Sequence, residues 1–415
     1  MAAERQFTLD EASALFKIKY EKLSENVYNS ANVLLGRCKK SYNFTGKQLS
    51  IAVPQSFSGG VGSGSLPVAN TAIYSDAQIK AKKMYAVVEI DRETIKAAMS
   101  DEGSFVRATK EVVKKGVESF MRNLSRALFN DGTGKLGTGD GSTGVTGTGT
   151  DADPYVLTID SSFKEANFEE RDLVTVHKTN GDLRGLYEII AVDPDNSKVS
   201  LSKESSLAGA GTTAIANDDV LYMQGSKDKD PDGLKGVIQE SNRNSSKSYD
   251  ITHARRWRSQ SKSASGAAIS TDLLNEMMLK VEKACGKAPN LIMTSYKQYE
   301  KILNLLEDQK RYEVKTRAGL KSKSGADISF SGVEFMSSSG PVGIFPERFC
   351  EDDTIYFLND NHIHLYHRPD FGWFDDDGTV FLRKSDSDAY EARYGGYLEA
   401  YINPCFHGVL TGLST

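Results

Sequence analysis

Apolar positions change period several times along the chain, and each change predicts a different kind of element. Phe105, Val112, Val113, Val117, Phe120, Met121, Leu124 and Leu128 recur at helical steps, which places them on one face of an α-helix. The spacing predicts a helix over Asp101 to Asn130, roughly 40 Å long at about 1.5 Å per residue. Before it, Tyr42 to Val53 and Ile73 to Ile90 alternate apolar and polar side chains around a tip rich in Gly, Ser and Pro, from Pro54 to Pro67. Two strands around a turn-rich tip make a hairpin, too thin to bury its own apolar side. Leu9 to Leu35 has loose helical spacing among many charges and reads as a partly helical arm.

Beyond the helix the period shortens to two. Tyr155–Ile159, Leu173–Val176, Tyr187–Val192, Lys198–Leu201 and Val220–Met223 are short alternating runs separated by turn residues such as Asp193-Pro-Asp-Asn196. They predict a small all-β domain over 151–230. After Gly236 the pattern becomes mixed. Thr271–Cys285 is helical, Asn290–Thr294 reads as a strand running into a helix over Ser295–Leu306, and strands follow at Phe330–Phe335, Thr354–Leu358 and His362–Tyr366. The last segment, Tyr394 to Leu410, is rich in strand-forming residues.

Composition narrows the class. Of 415 residues 39% are apolar and 26% charged. No apolar run reaches the roughly 20 residues that span a bilayer, so a membrane partner is not expected. The 18 Tyr and 18 Phe are enough for a real core. A net charge of -5 from 51 basic and 56 acidic residues exerts no global pull on nucleic acid. Cys38, Cys285, Cys350 and Cys405 form no CxxC pair, which indicates a reducing cytoplasm and neither a zinc ribbon nor a disulfide framework. The first residues, MAAERQFTLDEA, lack the apolar stretch of a secretory signal.

Five places could carry chemistry. His362, His364 and His367 are the densest ligand-type cluster, and alternate strand positions would put the first two on one face, as a zinc site requires; no Glu stands placed as a general base. Asp228-Lys-Asp-Pro-Asp-Gly233 begins like a calcium loop but has Lys235 and Gln239 where an apolar residue and the bidentate Glu belong; an acidic turn is the better description. Eight glycines between Asp131 and Thr150 follow a helix instead of opening one, so they are no phosphate cradle and read as a hinge. The basic side of the long helix, with Arg107, Lys110, Lys114, Lys115, Arg122 and Arg126, is either a solvated face or one turned toward phosphates. Arg255, Arg256, Trp257 and Arg258 fit a subunit interface better than single-stranded nucleic acid. No nucleophile, base and oxyanion donor come together, so neither an enzyme nor a cofactor is expected.

The order of these parts resembles the major capsid protein of tailed bacteriophages, the HK97-type fold. The local likenesses are Ala127-Leu-Phe-Asn-Asp-Gly-Thr-Gly134, Gly233-Leu-Lys-Gly-Val237, the strand and helix over Asn290–Leu306, Glu391–Tyr394 and Tyr401–Phe406. The resemblance covers most of the chain except 151–230. It implies an α+β fold with an N-terminal arm (1–41), an extended loop (42–90), a peripheral domain carrying the long spine helix (91–135, 236–266 and 373–415), an axial domain (267–372), and a Gly-rich linker with a β-rich insertion domain (136–235). It implies self-assembly into hexamers and pentamers of an icosahedral head around double-stranded DNA, in the virion capsid, assembled in the host cytoplasm. Phe57, Val61, Leu66, Lys80, Lys82 and Lys83 would then be extended-loop contacts between subunits, and the helix bases would face the genome. With the hairpin starting near 42, a separate scaffolding protein is the expected partner, beside portal and decoration proteins, and non-covalent locking is expected in place of a cross-link. The alternatives are an encapsulin-like nanocompartment shell and a metal-dependent hydrolase built on His362, His364 and His367.

Overall fold

The computed structural model describes residues 33–41, 48–56, 73–92, 102–160, 163–203, 214–239, 247–249, 251–252, 257–308, 318–321, 327–330, 333–337, 340–374, 380–385 and 388–415. Phe57, Val61 and Leu66, Arg255 and Arg256, and most of the N-terminal arm lie outside them.

The long helix runs from Glu102 to Phe129, one residue inside each expected end. Its apolar stripe is buried: Val117, Phe120, Met121, Leu124 and Leu128 are all almost inaccessible. The stripe packs on a five-stranded sheet built from Lys39–Ser41, Ile363–Trp373, Ala389–Ile402, Leu382–Arg383 and Lys82–Asp91. Phe120 meets Phe371 and Tyr394 edge-on at 5.3 and 5.2 Å, a favoured aromatic geometry. The strand Lys82–Asp91 alternates as its sequence demands, with Met84, Ala86 and Val88 turned toward the core and Tyr85, Val87 and Glu89 toward solvent.

The second unit is an antiparallel six-stranded sheet in the order Lys135–Thr138, Val220–Met223, Leu173–His177, Leu183–Asp193, Lys198–Ser202, Tyr155–Thr158. It has its own core, centred on Leu157, Val176, Tyr187, Ile189 and Leu201. Five of its strands are where alternation places them. The sixth, Lys135–Thr138, lies in the glycine-rich stretch, and this corrects the hinge expected there. The stretch is the edge of the sheet: Gly139 bridges Ile159 and Thr146 bridges Val156, while Asp153 accepts from the Thr148 and Gly149 amides. Gly149 has a φ of 82°, and a Cβ there would stand 2.2 Å from the Tyr155 ring. The glycine thus serves close approach to an aromatic wall rather than flexibility.

The third unit is a mixed six-stranded sheet, Gln260–Ser263, Gly408–Thr411, Ile355–Leu358, Leu291–Thr294, Gly340–Pro346 and Val333–Ser337, with helices Thr271–Cys285 and Tyr296–Asp308. Three strands fall in a different unit from the one expected. Ile363–Trp373 leaves the 267–372 unit to pair with Ala389–Ile402. Conversely, Gln260–Ser263 and the final strand Gly408–Thr411 join the α/β sheet in parallel register. The chain therefore crosses between the two units more often than a division by sequence order allows.

Candidate functional site

Two kinds of place invite function: apolar surface with nothing of its own to lie on, and charge buried where the units meet.

The hairpin Gln48–Ser56 with Ile73–Lys80 is held at its base, where Ala77 and Ile79 are fully buried and the Gln78 amide donates to the Tyr249 carbonyl at 2.8 Å. Toward its far end Ile73 and Tyr74 are more than half exposed. A second apolar surface lies on the outer face of the five-stranded sheet, where Tyr85, Val87, Leu382 and Tyr397 are between 38% and 59% exposed. Of the hairpin lysines, Lys80 is exposed and Lys83 lies with its ammonium 5.7 Å from the Tyr397 ring centre. Lys82 is only partly accessible and faces inward, toward a group of buried carboxylates.

That group sits where the long helix ends. Arg126, 3% exposed, donates to the Asp230 carboxylate at 3.1 Å. Two residues on, the Asp232 amide donates to Glu399 Oε1 at 2.8 Å, and the Ala400 amide donates to the same oxygen at 3.1 Å. Burial pushes the Asp230 carboxyl up against the pull of Arg126, and pushes Asp232 up against Lys82. Glu399 is raised well above its ordinary range by burial and by Asp232 beside it. A second charged knot lies nearby. Lys164, from the connection between strands Tyr155–Thr158 and Leu173–His177, donates to the Phe349 carbonyl at 2.9 Å and stands 3.9 Å from Glu351, which Lys235 also meets. Burial lowers the Lys164 ammonium; Glu351 falls below its usual range because the two lysines outweigh its own burial. The acidic turn Asp228–Gly233 is therefore a strap that joins the helix end to the five-stranded sheet and, through the Asp228 amide on the Thr133 carbonyl, to the start of the antiparallel sheet. The cavity beside it, lined by Asn130, Asn167, Lys164 and Glu351, measures about 70 Å³, short of the roughly 300 Å³ of a small-molecule site.

These contacts correct several expectations. Arg126 cannot face a genome from inside the protein, and Arg122 is occupied by Asp172 at 2.7 Å and by Glu169. The last third of the helix is covered by the antiparallel sheet, so positions that look solvated in sequence are not. Lys114, beside Glu118 at 3.7 Å, and Lys115 remain at the surface; Arg107 and Lys110 lie on the same helix. Trp257 is 1% exposed in its own core, against Tyr249 and Tyr401, so it anchors this chain and not a neighbour; Arg258 beside it is half-buried. The histidines do not converge. His362 ends a short 3₁₀ turn and stacks on Phe406, His364 lies beside Tyr366 on the less buried side of its strand, and His367 is buried against Phe371. Burial, with Lys287 and Lys39 adding to it, holds the His362 imidazole down to about 4. Among the described residues no three His, Cys, Asp or Glu side chains are grouped to hold a metal ion, and no helix is long and apolar enough to cross a membrane.

The buried carboxylates give a pH dependence with a definite sign. A carboxyl whose folded pKa is raised binds its proton more tightly in the native state, so its contribution is complete below the unfolded pKa of about 4.3 and fades as pH rises toward the folded value. Glu399→Gln keeps an oxygen to accept both amides. The stability of the variant relative to the native chain is expected to grow as pH rises above about 5, by at most about 1.4 kcal/mol per pH unit for one proton. Denaturant unfolding of both proteins across that range checks it, and taking the difference cancels His362 and His407, whose imidazoles are lowered.

The profile of the SU10 major capsid protein family matches residues 170–386, just over half of the chain. The chain belongs to the SU10 major capsid protein family. Four of the six strands in the antiparallel sheet fall inside the matched span, so that sheet is largely within what this capsid family shares, and not outside the resemblance as expected. Among solved structures this major capsid protein is similar to the capsid asymmetric unit of cyanophage A-1(L), with a TM-score of 0.53 at 11% identity over 93% of this chain and 94% of that one. At that identity the likeness is one of fold, and the fold is of HK97 type. The holo-SrpI encapsulin complex of Synechococcus elongatus PCC 7942 follows at 0.45 and 8% identity, covering 92% of this chain and 86% of that one. Mycobacterium phage Bobi stands at 0.43 and 10% identity, covering 98% of each chain. No curated protein matches the sequence. A major capsid protein forms its shell from many copies of itself, so its functional surfaces are those between copies. The structural role of the family leaves the histidine hydrolase reading without support.

Proposed function

We propose that copies of this capsid protein assemble into the hexamers and pentamers of an icosahedral phage head that encloses double-stranded DNA. The observation that carries this reading is the hairpin, anchored by buried Ala77 and Ile79 at one end and exposing Ile73 and Tyr74 at the other. An apolar excursion of this shape gains its burial from another chain. In this reading the hairpin is the extended loop, the long helix with the five-stranded sheet is the peripheral domain, and the α/β unit is the axial domain. The antiparallel sheet is an elaboration between them. Lys114 and Lys115, with Arg107 and Lys110 earlier on the same helix, are the bases for non-specific phosphate contact in this reading. A scaffolding protein, a portal and decoration proteins complete the set of partners, assembly takes place in the host cytoplasm, and the chain has no catalytic role.

The double variant Ile73→Asp, Tyr74→Asp tests it. The variant subunit is expected to keep the native circular dichroism spectrum, because neither side chain is in the core, and to fail to form the particles or capsomer sheets that the native chain is expected to show by negative-stain microscopy. Assembly at the native level would remove the hairpin from the interface.

A further inference from the structure

Helix Thr271–Cys285 ends at a left-handed Gly286, with a φ of 74°, against the short turn Pro404–Phe406 that carries the chain toward its last strand. The two are fitted closely. The Lys287 ammonium lies 5.6 Å from the Phe406 ring centre. Past the turn, Gly408 presses so near the helix that a Cβ would stand 2.6 Å from a methyl of Val281. Asn403 fixes the turn by accepting from the Cys405 amide at 3.2 Å. The result is that Cys285, the last residue of the helix, and Cys405, inside the turn packed against that helix, are brought together although far apart in sequence, and the Cys285 thiol donates to the Val281 and Lys287 carbonyls at 3.3 and 3.2 Å.

We propose that Cys285 and Cys405 are a reversible disulfide site that fastens the returning C-terminal segment to the helix end, closed by exchange with a low-molecular-weight disulfide. The pair has the asymmetry such exchange requires. Cys285 is partly exposed and Cys405 is buried. The hydrogen bond with Cys405, aided by the Lys287 amide and charge, holds the Cys285 thiol down to about 7. A thiol held down in this way gives up its proton more readily than Cys38 or Cys350, and the thiolate is the nucleophile. Cys38 and Cys350 are buried, and burial pushes both thiols up, Cys38 to about 12. In the first step the Cys285 thiolate attacks one sulfur of glutathione disulfide; a sulfur–sulfur bond forms to Cys285 and glutathione thiolate leaves. In the second, Cys405 gives up its proton and attacks the Cys285 sulfur, and the second glutathione thiolate leaves. Two protein thiols are oxidised, one disulfide is reduced to two thiols, and no other oxidant is needed. A particle that has left a reducing cytoplasm meets those conditions.

The test uses the full chain with glutathione disulfide at pH 7.5, followed by non-reducing peptide mapping and thiol titration. The expected result is one peptide pair joined through Cys285 and Cys405, loss of two of the four thiols, no retained glutathione, and reversal by dithiothreitol. Cys405→Ser is expected to keep glutathione on Cys285, because the second step has no nucleophile, and Cys285→Ser to react at neither position. Glutathione retained on Cys285 of the native chain would overturn the proposal, as would a link to Cys38 or Cys350 or four unreacted thiols. None of these readouts requires a shell to form, so they stand apart from the assembly test.

Discussion

Replacing Asp230 by alanine is expected to destabilise the unassembled subunit by about 3–5 kcal/mol, the usual consequence of leaving a buried charge without its partner. Arg126 is fully buried, and burial already lowers its guanidinium pKa while Asp230 holds it up. An arginine does not shed its proton to escape, so the variant must either keep a naked charge in the protein or open the strap to water. The opposite change is expected to be milder. In Arg126→Met the apolar side chain lies where Arg126 now touches the Met223 sulfur at 3.7 Å. Asp230, whose carboxyl is already raised by burial, can take a proton and go neutral. Denaturant midpoints should therefore rank native, Arg126→Met, then Asp230→Ala, with the last also cut early by protease near 225–236. Two equal, small losses would show that the pair is not the fastening of the antiparallel sheet to the helix.

Much of the architecture could be read from local pattern because its cause is local. Val117, Phe120, Leu124 and Leu128 fall on one helical face wherever the helix lies, and the antiparallel sheet announces itself by alternation. The misses have non-local causes. Gly340–Pro346 contains two prolines and two glycines and reads as a breaker, yet it is an inner strand because Leu291–Thr294 and Val333–Ser337 supply ladders on both sides. Lys135–Thr138 hides in a glycine run for the same reason, its ladder coming from Val220–Met223. Arg126 looks like one more surface base until its partner is known, and that partner lies in a turn far along the chain. The acidic turn itself carried a signal: three aspartates at alternate positions without a metal-loop ending need another source of positive charge, and Arg126 and Lys82 provide it. Trp257 sits among arginines, so its neighbours in sequence suggested a surface, while its neighbours in space are Tyr249 and Tyr401.

The strap also has to approach the helix end without a side chain in between, and this makes Gly233→Ala the other severe substitution. A Cβ on Gly233 would stand 2.3 Å from the Ala127 carbonyl oxygen, 2.4 Å from that of Asn130 and 2.7 Å from that of Leu128. These are backbone atoms at the end of a 28-residue helix, and no rotamer change moves them. Overpacking against a side chain typically costs about 1–3 kcal/mol. Against three fixed carbonyls the strap must withdraw instead, which separates Asp230 from Arg126 and Asp232 from Glu399 together. The expected loss is therefore at least that of Asp230→Ala, and the two should not add in a double variant, because one displacement already breaks the contacts the other removes. Gly141→Ala is the control: nothing lies within 4 Å of a Cβ there, so a stability within about 0.5 kcal/mol of native is expected. If Gly233→Ala unfolds at the same denaturant concentration as Gly141→Ala, the strap is not seated on the helix end. If the losses from Gly233→Ala and Asp230→Ala sum in the double variant, strap and ion pair act separately rather than as one joint.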